Sequence, residues 1–161
     1  MSELINLINC FTKDENNCDN AKNTNIVQGT AHIVGELLLE NNFSKNILLV
    51  ADNNTLKASE GVIESLKKQK ISYLIYRDLH VATMDHVFEI ERYIMGKDIS
   101  VLAVGARAVA AACSIAASRQ KKKICIFAVP QEQISENVCD QELHFENITM
   151  PDLVITVNDV V

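Results

Sequence analysis

From residue 26 onward, short apolar runs alternate with longer segments in which apolar residues recur at helical spacing. The runs predict β-strands at 26–27, 47–51, 71–76, 99–104, 124–129 and 153–157. The intervening segments predict helices over 31–41, 54–70, 84–95 and 107–119. Thr83 is suited to cap the third helix, and Gly96 is suited to end it.

Strands that alternate with helices of this length are typical of βαβ units, which form parallel sheets. The run at 47–51 is apolar without interruption, as expected for a strand that is covered on both faces. Right-handed crossovers then place helices on both sides of the sheet. The sequence therefore predicts an α/β fold with a doubly wound, mostly parallel, Rossmann-like sheet.

The length and the polar stretches indicate how the chain is divided. A chain of 161 residues suits one domain. Residues 12–25 are rich in Asn and other turn-forming residues and contain no large aliphatic side chain, so they predict a surface loop. We divide the chain into an N-terminal segment with a polar loop at 1–25, in which 4–10 is a further strand candidate, and one Rossmann-like domain at 26–161.

Composition excludes several classes of protein. The net charge of −6, 5% aromatic residues and the lack of Trp disfavour nucleic acid and anionic membranes as partners. No apolar run is long enough to span a bilayer, and the N-terminus lacks the basic region of a signal peptide. Five cysteines without a Cys-x-x-Cys pair make disulfides unexpected, and Cys113 and Cys125 lie in apolar stretches typical of a core. These features favour a cytoplasmic protein.

Ligands of doubly wound sheets bind at the carboxyl ends of the strands, which here precede the loops 52–54, 77–82, 105–107 and 131–141. Gly105, Ala106 and Arg107 lie where a strand gives way to a helix, so free N–H groups suit a phosphate there and Arg107 could add a charge. On spacing alone, a plain strand-to-helix turn is the favoured alternative, since one glycine is far from a full fingerprint. Asp52 could accept hydrogen bonds from a ribose, but locally a helix N-cap is the better interpretation.

Histidine and cysteine spacing gives no support for a catalytic or metal site. His32, His80, His86 and His144 form no His-Glu-x-x-His or i, i+4 pair. A zinc site of Cys10, Cys18 and His32 is conceivable but has no supporting spacing. We find no Ser/His/Asp or Cys/His set, so we assign no catalytic residue and no metal ligand.

Five stretches occur in the order seen in one superfamily: 25–31, 46–55, 99–105, 127–130 and 151–155. The chain over 25–157 resembles the N-terminal nucleotide-binding domain of glycerol-1-phosphate dehydrogenase, which belongs with iron-containing alcohol dehydrogenases, glycerol dehydrogenases and dehydroquinate synthases. The resemblance implies that NAD(P) binds in this domain, while a second, helical domain holds a catalytic zinc or iron. It assigns Asp52 to the ribose and Gly105, Ala106 and Arg107 to the pyrophosphate. Pro130 is the residue retained from the next loop of the family.

The sequence departs from this family at the proposed cofactor loops. Ala106 and Arg107 stand where the family has Ser-Gly or Gly-Gly, and a side chain at the third position crowds a pyrophosphate against the backbone. Glu132 adds a negative charge in the next loop, and the chain ends four residues after Val157, without a metal domain. We therefore expect weak or undetectable NAD(P) binding, no bound metal and no activity of the chain alone. The alternative is a fragment or subunit of an active NAD(P)-dependent polyol-phosphate dehydrogenase.

The C-terminal residues 153–161 are strongly apolar, and exposing them is costly. We therefore expect a homodimer, or a partner domain or chain that covers them. The alternative is that the last strand is buried within the sheet.

Overall fold

The computed structural model describes residues 25–51, 56–77, 83–105, 107–128 and 151–157. The strands in this part are β1 (Asn25–Gly29), β2 (Asn46–Ala51), β3 (Ser72–Tyr76), β4 (Ser100–Gly105), β5 (Ile124–Ala128) and β6 (Leu153–Val157). A 3₁₀ turn at Ala31–Ile33 leads into α1 (Val34–Glu40), and the other helices are α2 (Leu56–Lys68), α3 (Met84–Ile94) and α4 (Arg107–Gln120). Each predicted strand and helix from residue 26 onward is present, with ends that differ by only a few residues.

The strands form one parallel sheet in the order β1-β6-β5-β4-β2-β3. Its central strands are buried on both faces: every residue of β4 is buried, as is every residue of β2 after Asn46. This burial explains why these strands are continuous apolar runs in the sequence and do not alternate with polar residues.

Helices cover both faces of the sheet. On one face Val34 and Leu38 of α1 and Val62 and Leu66 of α2 pack with the sheet side chains of Ile47 and Leu49. On the other face α3 and the alanine-rich α4 pack against Leu48, Val50 and Val101. The doubly wound Rossmann-like fold predicted from the sequence is confirmed.

The last described strand lies inside the sheet. β6 pairs with β1 on one side and β5 on the other, and Leu153, Val154 and Ile155 are buried. This is the alternative arrangement that the sequence left open, and it removes the exposed apolar strand as a reason for self-association. A homodimer or partner chain stays a prediction that β6 does not support.

Several sequence predictions fall outside the described residues. They include the N-terminal segment with its strand candidate at 4–10, the helix cap at 52–54 and the loop at 131–141. The division of the chain at residue 25 is therefore untested. Within the described ranges no helix is long and apolar enough to cross a membrane.

A buried serine joins the first two helices. α1 begins at Val34 without a side-chain cap on its preceding residue. Instead, the Gly35 N–H donates to Ser65 Oγ of α2 at 2.8 Å, and Ser65 Oγ donates to the His32 carbonyl at 2.9 Å. The helices touch so closely that a Cβ on Gly35 would lie 2.7 Å from the Ser65 carbonyl oxygen. Ser65 thus supplies the cap that the sequence around α1 lacks.

We predict that Ser65→Ala lowers the free energy of unfolding by about 1–3 kcal/mol, because it leaves the buried Gly35 N–H without an acceptor. Urea denaturation followed by circular dichroism measures this change. Ser72→Ala is the matched control: its side chain is exposed, and the change should stay within about 0.5 kcal/mol. Equal stability of the two variants would contradict the capping role of Ser65.

Candidate functional site at the carboxyl edge of the sheet

The strands β2, β4 and β5 end side by side. Ala51, the last residue of β2, pairs with Val104, and Gly105, the last residue of β4, pairs with Ala128 at the end of β5. The helix after β2 covers one face of the sheet and the helix after β4 covers the other. Neighbouring strands whose helices leave to opposite faces open a crevice at the carboxyl edge, where doubly wound folds bind their ligands.

Gly105 is the best-defined candidate residue at this edge. It is buried and has a φ of 153°, a value that residues with a Cβ rarely adopt. α4 begins at Arg107 and has no acidic residue in its first turn. A strand end with a glycine, followed by a helix start free of negative charge, fits a phosphate held by backbone N–H groups.

The other four candidates are less completely placed. Arg107 is the first residue of α4, and only its backbone is described. Asp52, Ala106 and Pro130 lie outside the described residues, although Asp52 directly follows β2 and Ala106 directly follows β4 in the sequence. In the sequence, the five residues thus lie at or shortly after the ends of three strands that neighbour one another in the sheet, while their roles in cofactor binding stay predictions.

A second group of polar side chains lies at the end of β3. Tyr76 Oη is 2.8 Å from His86 Nδ1 and donates to Glu89 Oε2 at 2.5 Å. Thr83 caps α3 as predicted, through its Oγ1, which accepts from the His86 N–H at 3.3 Å. This group was not predicted from the sequence. Their spacing of three residues places His86 and Glu89 on one face of α3. Their contact with Tyr76 depends on how α3 packs beside β3, which the local sequence does not show.

Two potential nucleophiles are inert in this fold. Cys113 and Cys125 are fully buried, and burial raises the pKa of both thiols. The nearby Asp152 carboxylate adds to the rise in the pKa of Cys125. Both cysteines are core residues, as the sequence predicts, and neither is activated as a thiolate. Among the described residues, no three His, Cys, Asp or Glu side chains are grouped to hold a metal ion.

Comparison with solved structures identifies the same fold in dehydrogenases. An NADH-dependent butanol dehydrogenase A from Thermotoga maritima superposes with a TM-score of 0.61 at 16% identity, covering 83% of this chain and 42% of that protein. An iron-containing alcohol dehydrogenase from the same organism gives a TM-score of 0.63 at 13% identity, covering 83% and 46%. A glycerol dehydrogenase from Schizosaccharomyces pombe gives 0.60 at 13%, covering 85% and 38%.

No family model matches the sequence, and no curated protein matches it either. The chain spans less than half the length of the three dehydrogenases named above. At these identities the likeness shows the fold. The broader group suggested by the sequence, iron-containing alcohol dehydrogenases and glycerol dehydrogenases, is thus represented among the structural neighbours.

We predict that Gly105→Ala lowers the free energy of unfolding by about 1–3 kcal/mol, because the strand end sits in a conformation that a Cβ disfavours. Urea denaturation again measures the effect. Gly96→Ala is the control for the same chemical change: its φ is 71°, but a Cβ there meets nothing within 4 Å, so about 1 kcal/mol of backbone strain is the whole cost. Wild-type stability of Gly105→Ala would contradict the backbone conformation on which the candidate site depends.

Proposed function

We propose that this chain is a dehydrogenase-like nucleotide-binding domain, with the pyrophosphate of a dinucleotide at the turn between β4 and α4. The observation that carries the proposal is Gly105, which ends β4 in a conformation suited to glycine, beside the end of β2 and before a helix start without acidic residues. When bound, NAD(P) would supply the hydride-transferring nicotinamide. The protein would hold its phosphates by backbone N–H groups near Gly105 and its ribose by Asp52.

The same turn gives reasons for weak binding. Ala106 and Arg107 follow Gly105 where the resembled family carries Ser-Gly or Gly-Gly, and side chains in place of glycine would hinder the approach of a pyrophosphate to the backbone. Glu132 follows Pro130 in the sequence, and its carboxylate would repel a phosphate bound by this loop. The proposed domain therefore shares the fold of the resembled family and has Gly105 at the end of β4, but its cofactor site is weakened.

We further propose that these residues do not catalyse hydride transfer alone. The chain corresponds to 38–46% of the dehydrogenases it superposes on, and activity would need a second domain or a partner chain. Glycerol-1-phosphate, the substrate of the resembled family, is the first substrate class to test in such an assembly.

The alternative is that the chain is a fragment or subunit of an active NAD(P)-dependent polyol-phosphate dehydrogenase. The fold shared with a glycerol dehydrogenase favours it, since that protein acts on a polyol. In this alternative Arg107 offsets the missing glycines by pairing its guanidinium with the pyrophosphate, and the cofactor binds tightly.

We predict that isothermal titration of the chain with NADH and NADPH gives a dissociation constant near 1 mM, about −4 kcal/mol, because the turn is crowded. Arg107→Ala is the informative variant, since it keeps the helix start and removes the long side chain. If Arg107 crowds the site, this variant binds as tightly as the wild type or more tightly.

A dissociation constant near 1 µM, about −8 kcal/mol, would instead favour the alternative, particularly if Arg107→Ala abolished it. Of the two results expected from the sequence, weak or undetectable binding, the proposal commits to weak binding. A complete lack of binding at about 10 mM of either nucleotide would therefore contradict it.

A further inference from the structure

A second cleft opens beyond the carboxyl end of β3, the edge strand of the sheet. It lies between β3 and α3 and is lined by Ile75, Tyr76, Arg77, Glu89, Arg92 and Tyr93. Its volume of about 550 Å³ falls within the range of roughly 300–1,000 Å³ that is common for small-molecule sites. The cleft is therefore large enough for a phosphorylated metabolite or for part of a nucleotide.

The cleft carries positive charge on an acidic protein. Arg77 and Arg92 line it, and within the described ranges neither has an ion pair with an acidic side chain. Glu89 is the one acidic residue of the described lining, so the formal charge of that lining is +2 − 1 = +1, whereas the whole chain carries −6. This local excess of positive charge favours an anion in the cleft, although the net charge of the whole chain is negative.

The carboxylate of Glu89 is hydrogen-bonded to Tyr76 and, among the described side chains, forms no ion pair with either arginine. Its Oε2 accepts the Tyr76 hydroxyl, and because that hydroxyl has a single proton, His86 Nδ1 donates to Tyr76 Oη in turn. Tyr76 itself is only 6% exposed, so this chain of hydrogen bonds is anchored in the core. Glu89 and Arg92 are three residues apart on α3 and could pair, yet the carboxylate is directed to Tyr76 instead.

We propose that this cleft binds a phosphomonoester through the guanidinium groups of Arg77 and Arg92. Guanidinium forks match the oxygens of a phosphate group, and two of them suit its double negative charge. The ring of Tyr93, 42% exposed in the same cleft, offers an apolar surface for the organic part of the ligand.

The sheet register places this cleft next to the candidate nucleotide site. Tyr76 pairs with Val50, the residue before Ala51, so the chain leaves β3 at Arg77 close to the end of β2. The phosphomonoester could thus belong to a nucleotide that carries a 2′-phosphate or to a separate phosphorylated metabolite. Either ligand would present a phosphate group to the arginines. Titration with inorganic phosphate and with adenosine 2′-monophosphate distinguishes the two.

Amide chemical shifts of Tyr76 and Tyr93 in the labelled chain are a direct readout of occupancy, because both residues line the cleft and the adenine ring does not interfere with this measurement. The full chain is titrated with inorganic phosphate and with adenosine 2′-monophosphate, each against chloride at equal ionic strength. We expect saturable binding of both. Binding of the nucleotide roughly tenfold tighter than phosphate assigns the site to a 2′-phosphorylated nucleotide, and equal binding assigns it to a free phosphomonoester.

Three variants test the residues. Arg77→Gln and Arg92→Gln should each weaken phosphate binding roughly tenfold, since each removes a charge-assisted hydrogen bond. Glu89→Gln keeps an acceptor for Tyr76 and removes the repelling charge, so it should strengthen binding. Lys68→Gln is the control: it removes one positive charge from an exposed position on α2, whose core residues pack on the opposite face of the sheet, and should leave binding within about twofold.

Two outcomes would overturn the proposal. One is the absence of saturable binding of either probe up to about 10 mM. The other is binding that the Arg77→Gln, Arg92→Gln double variant retains at wild-type strength. Neither outcome depends on NADH. The proposal for the cleft can therefore be wrong while the proposal for the dinucleotide site at Gly105 is right, or right while that one is wrong.

Discussion

The parallel pairing of β2 with β4 is the interaction on which the rest of the structure depends. These strands are buried on both faces and are joined from Ile47 and Ser100 up to Ala51 and Val104. Because the chain passes through α2, β3 and α3 before it returns beside β2, the two neighbouring strands send their helices to opposite faces. In doubly wound folds, a reversal of this kind marks the position at the carboxyl edge where ligands bind. The candidate nucleotide site is a consequence of this connection and of the glycine at its rim.

The helices on one face are locked to one another as well as to the sheet. Alanines of α4 let that helix lie close to β4 and β5, since small side chains allow a short distance between backbones. The buried carboxylate of Glu91 on α3 meets Arg119 Nε at 3.0 Å and accepts from the Gln120 side chain, both on α4. The Arg119 guanidinium also lies 5.5 Å from the ring centre of Phe88. These contacts fix the position of α3 relative to α4. Because α3 contributes half of the residues that line the second cleft, they also position that cleft relative to the start of α4.

The sequence predicts most of the fold because the two dominant signals are local. An uninterrupted apolar run such as 47–51 indicates a strand buried on both faces, and Thr83 and Gly96 mark the ends of α3 through capping chemistry. The order of the strands in the sheet is harder to predict from the sequence, because it depends on contacts between distant parts of the chain. The run that forms β6 has the same composition whether it is an exposed terminus or an inner strand, and only its pairing with β1 and β5 decides.

The candidate site also has a part that the sequence predicts and a part that it does not. Gly105 could be found from the sequence, since a strand, a glycine and a helix start follow one another directly. The convergence of Arg77 with Glu89 and Arg92 could not, because it depends on which face of α3 turns toward the edge strand. Ser65 as the cap of α1 is similarly hidden, since its two partners, Gly35 and His32, belong to a different helix and the turn before it.

Binding of a dinucleotide at the carboxyl ends of β2 and β4 can be measured by amide chemical-shift mapping, which detects weak binding residue by residue. In a titration of the labelled chain with NADH, we expect the largest shifts at Gly105, in the first turn of α4 and at Ala51. Ser44 and Ser100, hydrogen-bonded to each other at 3.1 Å at the opposite edge of the sheet, should stay unchanged. Shifts centred on that opposite edge, or no shifts at Gly105 while NADH is saturating, would show that no dinucleotide binds at the ends of β2 and β4.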